Sequence, residues 1–491
     1  MTAPRPLANY AARVFTLDVR SLALFRIALG VLLLVDLGVR ASDFSAMYSA
    51  TGFAPVELVR PMLREGQWSL YLLDESTAFQ AAMFVIAAAS ATALLLGYQT
   101  RIATIASWVL LVSLHVRLPV VLNAGDTLLR LMLFWSMFLP LGAAWSLDAR
   151  RRGPPRCTSI LSAATAALVV QLSLVYWGAG ASKWNDSWLQ GDALNSIFAY
   201  SLYSLPLGHW LRDYPDVTRV LSRSVVWLEL LGPLMLYIPW ATARFRLIAL
   251  ATFAVFHLGI AATVTVGIFS YVAIAAWLAL IPSTVYRRAA DEARRPEAAD
   301  SVSRVTLGQQ FSAVCCLLAL LVVVYWNIML FVPELQPTAD GAVVRGVRSL
   351  GLYQTWGVFR RPSPLDSWFV YEARLRNGRV VDLRTGEAPR NYERPTVASG
   401  NFPNHRWRKL HAQLRSQRYA AYRQPVARFI CQRWNKSHGD DDQIAQLDLY
   451  CYSQRIESTA TDEDYVRQLL AQVKLGQQGG AFADAVRELD L

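Results

Sequence analysis

The chain has 491 residues, 54% hydrophobic and only 17% charged, against roughly 25% charged in an ordinary soluble domain. That hydrophobic fraction excludes a disordered chain, and five cysteines in such a length exclude a small disulfide scaffold. A net charge of +12 accompanies no nucleic-acid-binding motif, so no nucleic-acid partner is expected, and the composition reads as a multi-span helical membrane protein with a soluble tail.

A run of about 20 apolar residues spans a hydrocarbon core about 30 Å thick. About nine such runs occur, at residues 22–39, 78–97, 102–116, 128–145, 160–181, 225–240, 245–280 (two crossings, divided at 263–267) and 311–332. The first run is followed by Arg40-Ala41-Ser42-Asp43 and by further spans, as a retained helix and not a cleaved signal peptide would be. Lys and Arg favour cytoplasmic loops. With the N-terminus inside, those loops carry Arg5, Arg13 and Arg20, then Arg101, Arg150 to Arg152 with Arg156, Arg244 with Arg246, and Arg287, Arg288, Arg294 and Arg295. The expected protein is therefore multi-pass in the cell (inner) membrane, with a cytoplasmic N-terminus and an odd number of crossings.

Residues 1–333 form the expected membrane domain and 334–491 an extracytoplasmic α+β domain, because polar residues, Pro and Gly rise from Glu334 onward. Residues 367–375 alternate as a strand, Asn377-Gly378 signals a hairpin turn, and 379–383 returns. Residues 404–429 are helix-like, 443–453 suggest a strand, and Tyr465, Leu469 and Val473 suggest an amphipathic helix before a mobile Gly-rich end. Cys431 and Cys451 either pair in an oxidising compartment or stay as two free thiols; Cys157, Cys315 and Cys316 read as small packing residues.

An ionisable group inside a span costs several kcal/mol on most scales, so each is a functional candidate. Arg26 and Asp36 fall in the first span. Asp126 and Arg130 are four apart and could pair on one helix face. Glu229, within Trp-Leu-Glu-Leu-Leu-Gly-Pro, serves either packing or proton transfer. His257 is mid-span, as a satisfied packing residue or a ligand or proton carrier, while His115 and His209 lie near the outer ends of their regions. Lys183 follows Tyr176-Trp-Gly-Ala-Gly-Ala-Ser and precedes Trp184-Asn-Asp-Ser-Trp188. It is either an interfacial lysine with its head in water or, desolvated beside small residues that admit a flat ligand, a base near neutral pH. The scattered His and Cys form no metal motif, so no metal is expected.

Four segments, Ser21-Leu-Ala-Leu-Phe-Arg-Ile-Ala-Leu-Gly, Asn123-Ala-Gly-Asp-Thr-Leu-Leu-Arg, Tyr176 to Gly191, and Phe256-His-Leu through Gly267-Ile-Phe-Ser-Tyr, resemble the bacterial HTTM (horizontally transferred transmembrane) family. Its relatives include the vitamin K-dependent gamma-glutamyl carboxylases. Gly351-Leu-Tyr-Gln-Thr-Trp356, the Asn377-Gly378 hairpin and His405-Arg-Trp-Arg-Lys-Leu resemble the start of the carboxylases' lumenal domain. The resemblance implies Lys183 as the base toward reduced vitamin K or menaquinol, His257 as a second catalytic residue, and Tyr176, Trp184, Trp188 and Glu229 around the quinone. It further implies an exported protein or peptide as substrate, carboxylated as the quinone is epoxidised. The chain departs from the animal enzymes at Ser182, where they have the first of two adjacent lysines, at 154–159, where they have a His-containing stretch, and at Tyr353, one place out of register. A non-enzymatic reading, a membrane assembly or maturation factor for an exported protein, stands beside the enzymatic one.

Overall fold

The computed structural model describes residues 5–153, 157–286, 306–335, 341–384, 394–395, 399–456 and 465–475. Nine helices cover the expected apolar runs: α1 Val19–Ser42, α2 Thr77–Leu96, α3 Thr100–Arg117, α4 Ala124–Ser136, α5 Ala163–Ser182, α6 Pro215–Leu231, α7 Thr242–Thr263, α8 Phe269–Leu278 and α9 Leu307–Met329. Six of these are long and apolar enough to cross a membrane, α1, α2, α5, α6 with its 3-10 continuation to Tyr237, α7 and α9.

The count of long spans is thus lower than the sequence suggests, and burial explains why. Helix α4 has 13 residues and α8 has 10. Both are largely enclosed by protein: Leu128, Leu131 and Trp135 of α4 and Val272, Ala273 and Trp277 of α8 are at most 1% exposed, and Tyr271 is the residue of α8 that stands out, at 53%. A helix with little lipid to face can be short, because neighbouring protein satisfies the irregular backbone at its ends. The long helices instead expose Val85, Ile86, Val255, Leu258, Leu317 and Leu321, an outer apolar surface suited to acyl chains. The break expected at 263–267 lies between α7 and α8. Gly267 there has φ +66°, and a Cβ would lie 2.7 Å from His405 Cδ2 and 2.9 Å from Asn123 Nδ2.

Two sets of connections gather at opposite ends of the bundle. At one end the Arg26 guanidinium donates to the carbonyls of Leu94 (2.7 Å), Leu95 (2.5 Å) and Trp145 (2.7 Å), satisfying the open C-terminal carbonyls of α2. Asp148 accepts from the Gln99 and Thr100 amides, Ser21 donates to the Ile281 carbonyl, and Arg246 donates to Thr16 and Val14. Arginines of this end therefore include the 150–152 run; Arg156, Arg287, Arg288, Arg294 and Arg295 lie outside the described residues.

At the other end sits a four-stranded antiparallel sheet of β1 Leu365–Leu375, β2 Val380–Asp382, β3 Ile444–Arg455 and β4 Tyr465–Lys474, in the order β2-β1-β3-β4. The Asn377-Gly378 turn joins β1 to β2 as expected, with Gly378 at φ +84°. The helix-like stretch from 404 is two helices, α10 His405–Leu414 and α11 Arg423–Ser437, separated by a 3-10 turn that is non-helical at Tyr419. The amphipathic helix expected around Tyr465 is instead the strand β4, paired with β3 from Gln446↔Lys474 to Gln454↔Tyr465. A four-residue spacing is compatible with a strand as well as a helix, and the neighbouring strand decides between them; a bulge at Leu470 then turns Leu469 outward, 48% exposed, while Val473 is buried. Cys431 and Cys451 are both buried, free thiols; burial pushes the Cys431 thiol up to about 12 and raises Cys451 as well.

Residues on both sides of the expected boundary at 333/334 share one apolar cluster, in which Leu37, Met47, Phe84 and Leu114 join Phe369, Trp407, Leu410 and Leu447. A buried ionic cluster reinforces this junction. Arg40 binds Asp36 (2.8 Å) and Asp126 (2.9 Å), and Arg406 of α10 binds Asp126 through both oxygens (2.6 and 2.7 Å), Asp36, and the Val121 carbonyl at 3.0 Å. The Asp126–Arg130 pair expected from their spacing does not form. Arg130 turns to the carbonyls of Gly351 (2.7 Å) and Tyr353 (2.8 Å) and stacks over the Tyr353 ring. Both residues prefer partners far away in sequence, which the i,i+4 rule cannot see.

Candidate functional site in the helical bundle

The site is assembled from α5, α6, α7 and the chain leading into β1. Helix α5 carries Gly178 and Gly180 near its C-terminal end, and each permits a close approach. A Cβ on Gly178 would lie 3.0 Å from Trp356 Cδ1; one on Gly180 would lie 2.9 Å from Leu230 Cγ and 3.1 Å from Glu229 Cβ. Helix α6 therefore comes close enough to α5 for Glu229 to reach the residue that caps α5, Lys183. The Lys183 Nζ donates to both Glu229 oxygens, at 2.9 and 2.8 Å. Both residues are 5% exposed, and the amine lies 5.3 Å from the centre of the Trp188 ring.

Beside this ion pair is a mostly apolar cavity with about 90 Å³ open to the centre of a water-sized sphere, several times the space of one water. Phe198, Ile260, Val264 and Phe269 supply part of its apolar wall, and Trp356 and Phe359 close it from the side of the sheet. Phe359 takes a left-handed φ of +53°, and its carbonyl accepts from the Trp188 indole at 3.0 Å, while the Arg360 carbonyl accepts from Asn185 at 2.9 Å. The segment before it is anchored by Gln354, which receives hydrogen bonds from Gln171 (2.8 Å) and Trp356 (2.9 Å).

His257 lines the same cavity. Its Nε2 lies 2.8 Å from the Tyr176 hydroxyl, which accepts from the Trp277 indole at 2.7 Å. With the Trp277 N–H donating to the Tyr176 oxygen, the arrangement that leaves no buried hydroxyl hydrogen unpaired directs the Tyr176 hydrogen to His257 Nε2 and puts the ring proton on Nδ1. That Nδ1 has no partner among the described residues, although His257 is 1% exposed. A buried donor left unpaired is costly, and here it belongs to a side chain on the cavity wall.

Of the residues singled out from sequence, the structure brings Lys183, Glu229, Trp188, Tyr176 and His257 to one cavity. Trp184 is placed elsewhere. It is 54% exposed and meets Trp227 edge-on with ring centres 5.6 Å apart, because the turn after Lys183 sends consecutive residues to opposite sides. Sequence reasoning missed the closing residue Phe359, which no motif marks, and did not link Lys183 to Glu229, 46 residues away. Trp356 stood in a recognised segment but without a role. Asp36, His115 and Asp126 also come within ligand distance of one another. Arg40 and Arg406 balance both carboxylates, however, leaving no net negative charge to attract a cation.

The HTTM domain family model matches residues 15–283, more than half of the chain. The chain belongs to the HTTM family. Its six long apolar helices agree with a multi-pass membrane protein, related at family level to the vitamin K carboxylases. The match spans α1 to α8 and so includes Lys183, Glu229 and His257, whereas the closing segment around Trp356 lies beyond it. No curated protein and no solved structure matches this HTTM protein.

Proposed function

We propose that this HTTM protein is a membrane-embedded, vitamin K-dependent carboxylase-like enzyme, coupling oxidation of a reduced quinone to modification of an exported substrate. The observation that carries the reading is the buried Lys183–Glu229 pair lining one apolar cavity together with His257, whose Nδ1 has no partner among the described residues. A reduced quinone supplies, when bound, an acidic aromatic hydroxyl and two reducing equivalents for oxygen. The residues present fit such a group: apolar and aromatic walls suit a flat ring, and polar contacts are few and convergent. Trp188 and Phe198 would hold the ring, and His257 Nδ1 would donate to a ring oxygen.

Glu229 makes Lys183 usable as a base. Holding two charges away from water is expensive, and moving one proton from Lys183 to Glu229 removes both. The amine then has a free lone pair beside the cavity and can accept a proton from an acidic hydroxyl placed there. Tyr176 and Trp277 fix the His257 tautomer, so that its donor faces the ligand and its acceptor does not.

The reading includes nine crossings, a cytoplasmic N-terminus and an extracytoplasmic sheet domain. Its support is the gathering of the Arg-bearing connections at the bundle end away from the sheet, with α3, α4 and α8 as inner crossings. Lys183 then opens toward the compartment of an exported substrate.

The test is turnover of reduced vitamin K or menaquinol by the full chain in lipid nanodiscs with oxygen, reading epoxide. Lys183→Ala abolishes it and Glu229→Gln lowers it at least about 100-fold, in line with loss of a general base. Undiminished epoxide formation by Lys183→Ala overturns the assignment. Absence of turnover in the unaltered protein, together with a co-purifying exported protein lost on disruption of 353–382, would favour the assembly-factor reading.

A further inference from the structure

We propose a second binding site, in the sheet domain between α10, α11 and the β1–β2 hairpin, for a planar aromatic ligand that carries a hydroxyl and an anionic group. A cavity here has about 360 Å³ open to the centre of a water-sized sphere, four times the space beside Lys183. Its apolar lining includes the aromatic rings of Phe402, Phe429 and Trp434 beside aliphatic Leu383 and Ile430. Rings of this kind favour a flat partner by stacking or edge contact.

Three residues of its lining each carry a buried polar atom with no partner among the described residues: His411 Nε2, Trp407 Nε1 and the Tyr371 hydroxyl. Their side chains belong to residues 3%, 4% and 6% exposed. The hydrogen-bonding sense of two is fixed. His411 Nδ1 lies 2.7 Å from the Trp407 carbonyl and must donate to it, so Nε2 is a bare acceptor. Trp407 Nε1 can only donate. The two rings are centred 6.3 Å apart, and a hydroxyl combines the two roles they call for, a donor toward His411 and an acceptor toward Trp407, which an ether, a ketone or a hydrocarbon does not. Burial lowers the His411 pKa to about 4, which keeps that acceptor available at neutral pH.

Charge at the rim selects further. Arg384 is paired with Asp382 at 2.6 Å, whereas Arg433 is exposed and has no ion-pair partner among the described residues. Among the described residues the rim thus carries positive charge with no carboxylate paired to Arg433, suited to an anionic group. None of these residues belongs to the Lys183 site, so the inference stands apart from the proposed turnover.

The experiment is calorimetric titration of the full chain in nanodiscs with 4-hydroxyphenylacetate, phenylacetate and 4-hydroxyphenylacetamide. Saturable binding of the hydroxy acid is expected, with phenylacetate at least 10-fold weaker. Trp407→Phe keeps the ring but removes the donor, and brings that ratio close to one; His411→Phe does the same. Arg433→Gln weakens the acid and leaves the amide unchanged. Lys183→Ala leaves all three affinities intact. Absence of saturable binding, equal affinity for phenylacetate, or a ratio unmoved in Trp407→Phe overturns the site, as does loss of binding in Lys183→Ala. Should His411→Phe fail to fold, Trp407→Phe, which retains aromatic bulk, still decides.

Discussion

Replacing Arg406 by Met tests how the sheet domain is held to the helical bundle. The guanidinium reaches Asp36, both oxygens of Asp126 and the Val121 carbonyl from a fully buried position. Two carboxylates and two guanidiniums balance in the unaltered cluster; without Arg406 only Arg40 remains, and one negative charge is left buried. Methionine preserves most of the aliphatic stem, so lost packing is a small part of the effect. Removing one partner of a buried ion pair costs about 3–5 kcal/mol, a large share of the 5–15 kcal/mol that stabilises a typical domain. The assay is thermal unfolding in nanodiscs, with proteolysis of the chain between Met329 and Gly341 as a readout of domain release. Pairing the change with Asp36→Asn restores the charge balance, and the double variant is expected to regain at least about 1 kcal/mol relative to additivity, the coupling that contacting residues show. Strict additivity, or a loss below about 1 kcal/mol for Arg406→Met, would refute the reasoning that this charge anchors the two parts.

Other consequences concern pH, packing and redox state. Burial holds His411 at about 4, below its ordinary 6.5. The unfolded chain therefore binds more protons between these values, and stability is full above about pH 6.5 and falls as pH drops toward 4, by about 3 kcal/mol in total; His411→Phe should flatten that part of the melting-temperature profile. Gly180→Val places side-chain atoms against Leu230 and the Cβ of Glu229 and should cost about 1–3 kcal/mol by overpacking, with a several-fold loss of quinol turnover at the displaced Lys183–Glu229 pair. Gly267→Ala combines a positive φ with contact to His405 and Asn123 and should lower stability by more than about 1 kcal/mol, read as melting temperature. Since Cys431 and Cys451 are unpaired, added reductant should leave the melting temperature unchanged, and a reductant-dependent shift would contradict their free state.

The site and its closure have different origins in the chain. Lys183, His257 and Tyr176 belong to the helices that define the family match, while Trp356 and Phe359 come from the connection to the sheet domain. Any movement of that domain relative to the bundle would therefore alter access to Lys183. The buried cluster at Arg406 and the shared apolar core oppose such movement, and Arg406→Met connects the two properties in one experiment.

Much of the architecture was legible in the order of residues because it follows from local patterns. Long apolar runs marked the helices, the β-hairpin followed from alternation and Asn377-Gly378, and an unusual lysine beside Gly178 and Gly180 marked the site. Local pattern was ambiguous at Tyr465 to Val473, where a helix and a strand share the spacing until β3 supplies a pairing edge. Charge pairing was invisible to it altogether. Asp126 and Arg130 looked like natural partners four residues apart, yet each is satisfied from elsewhere, and Lys183 meets Glu229 because Gly180 lets α5 and α6 approach. Hydrophobicity and turn chemistry are encoded by near neighbours, and so the sequence by itself determined the class of protein and its helices. Which buried charges face one another, which tryptophan lines a cavity and which stands outside it, and which histidine nitrogen is left bare depend on distances between segments far apart in the chain, and only the tertiary structure decided those.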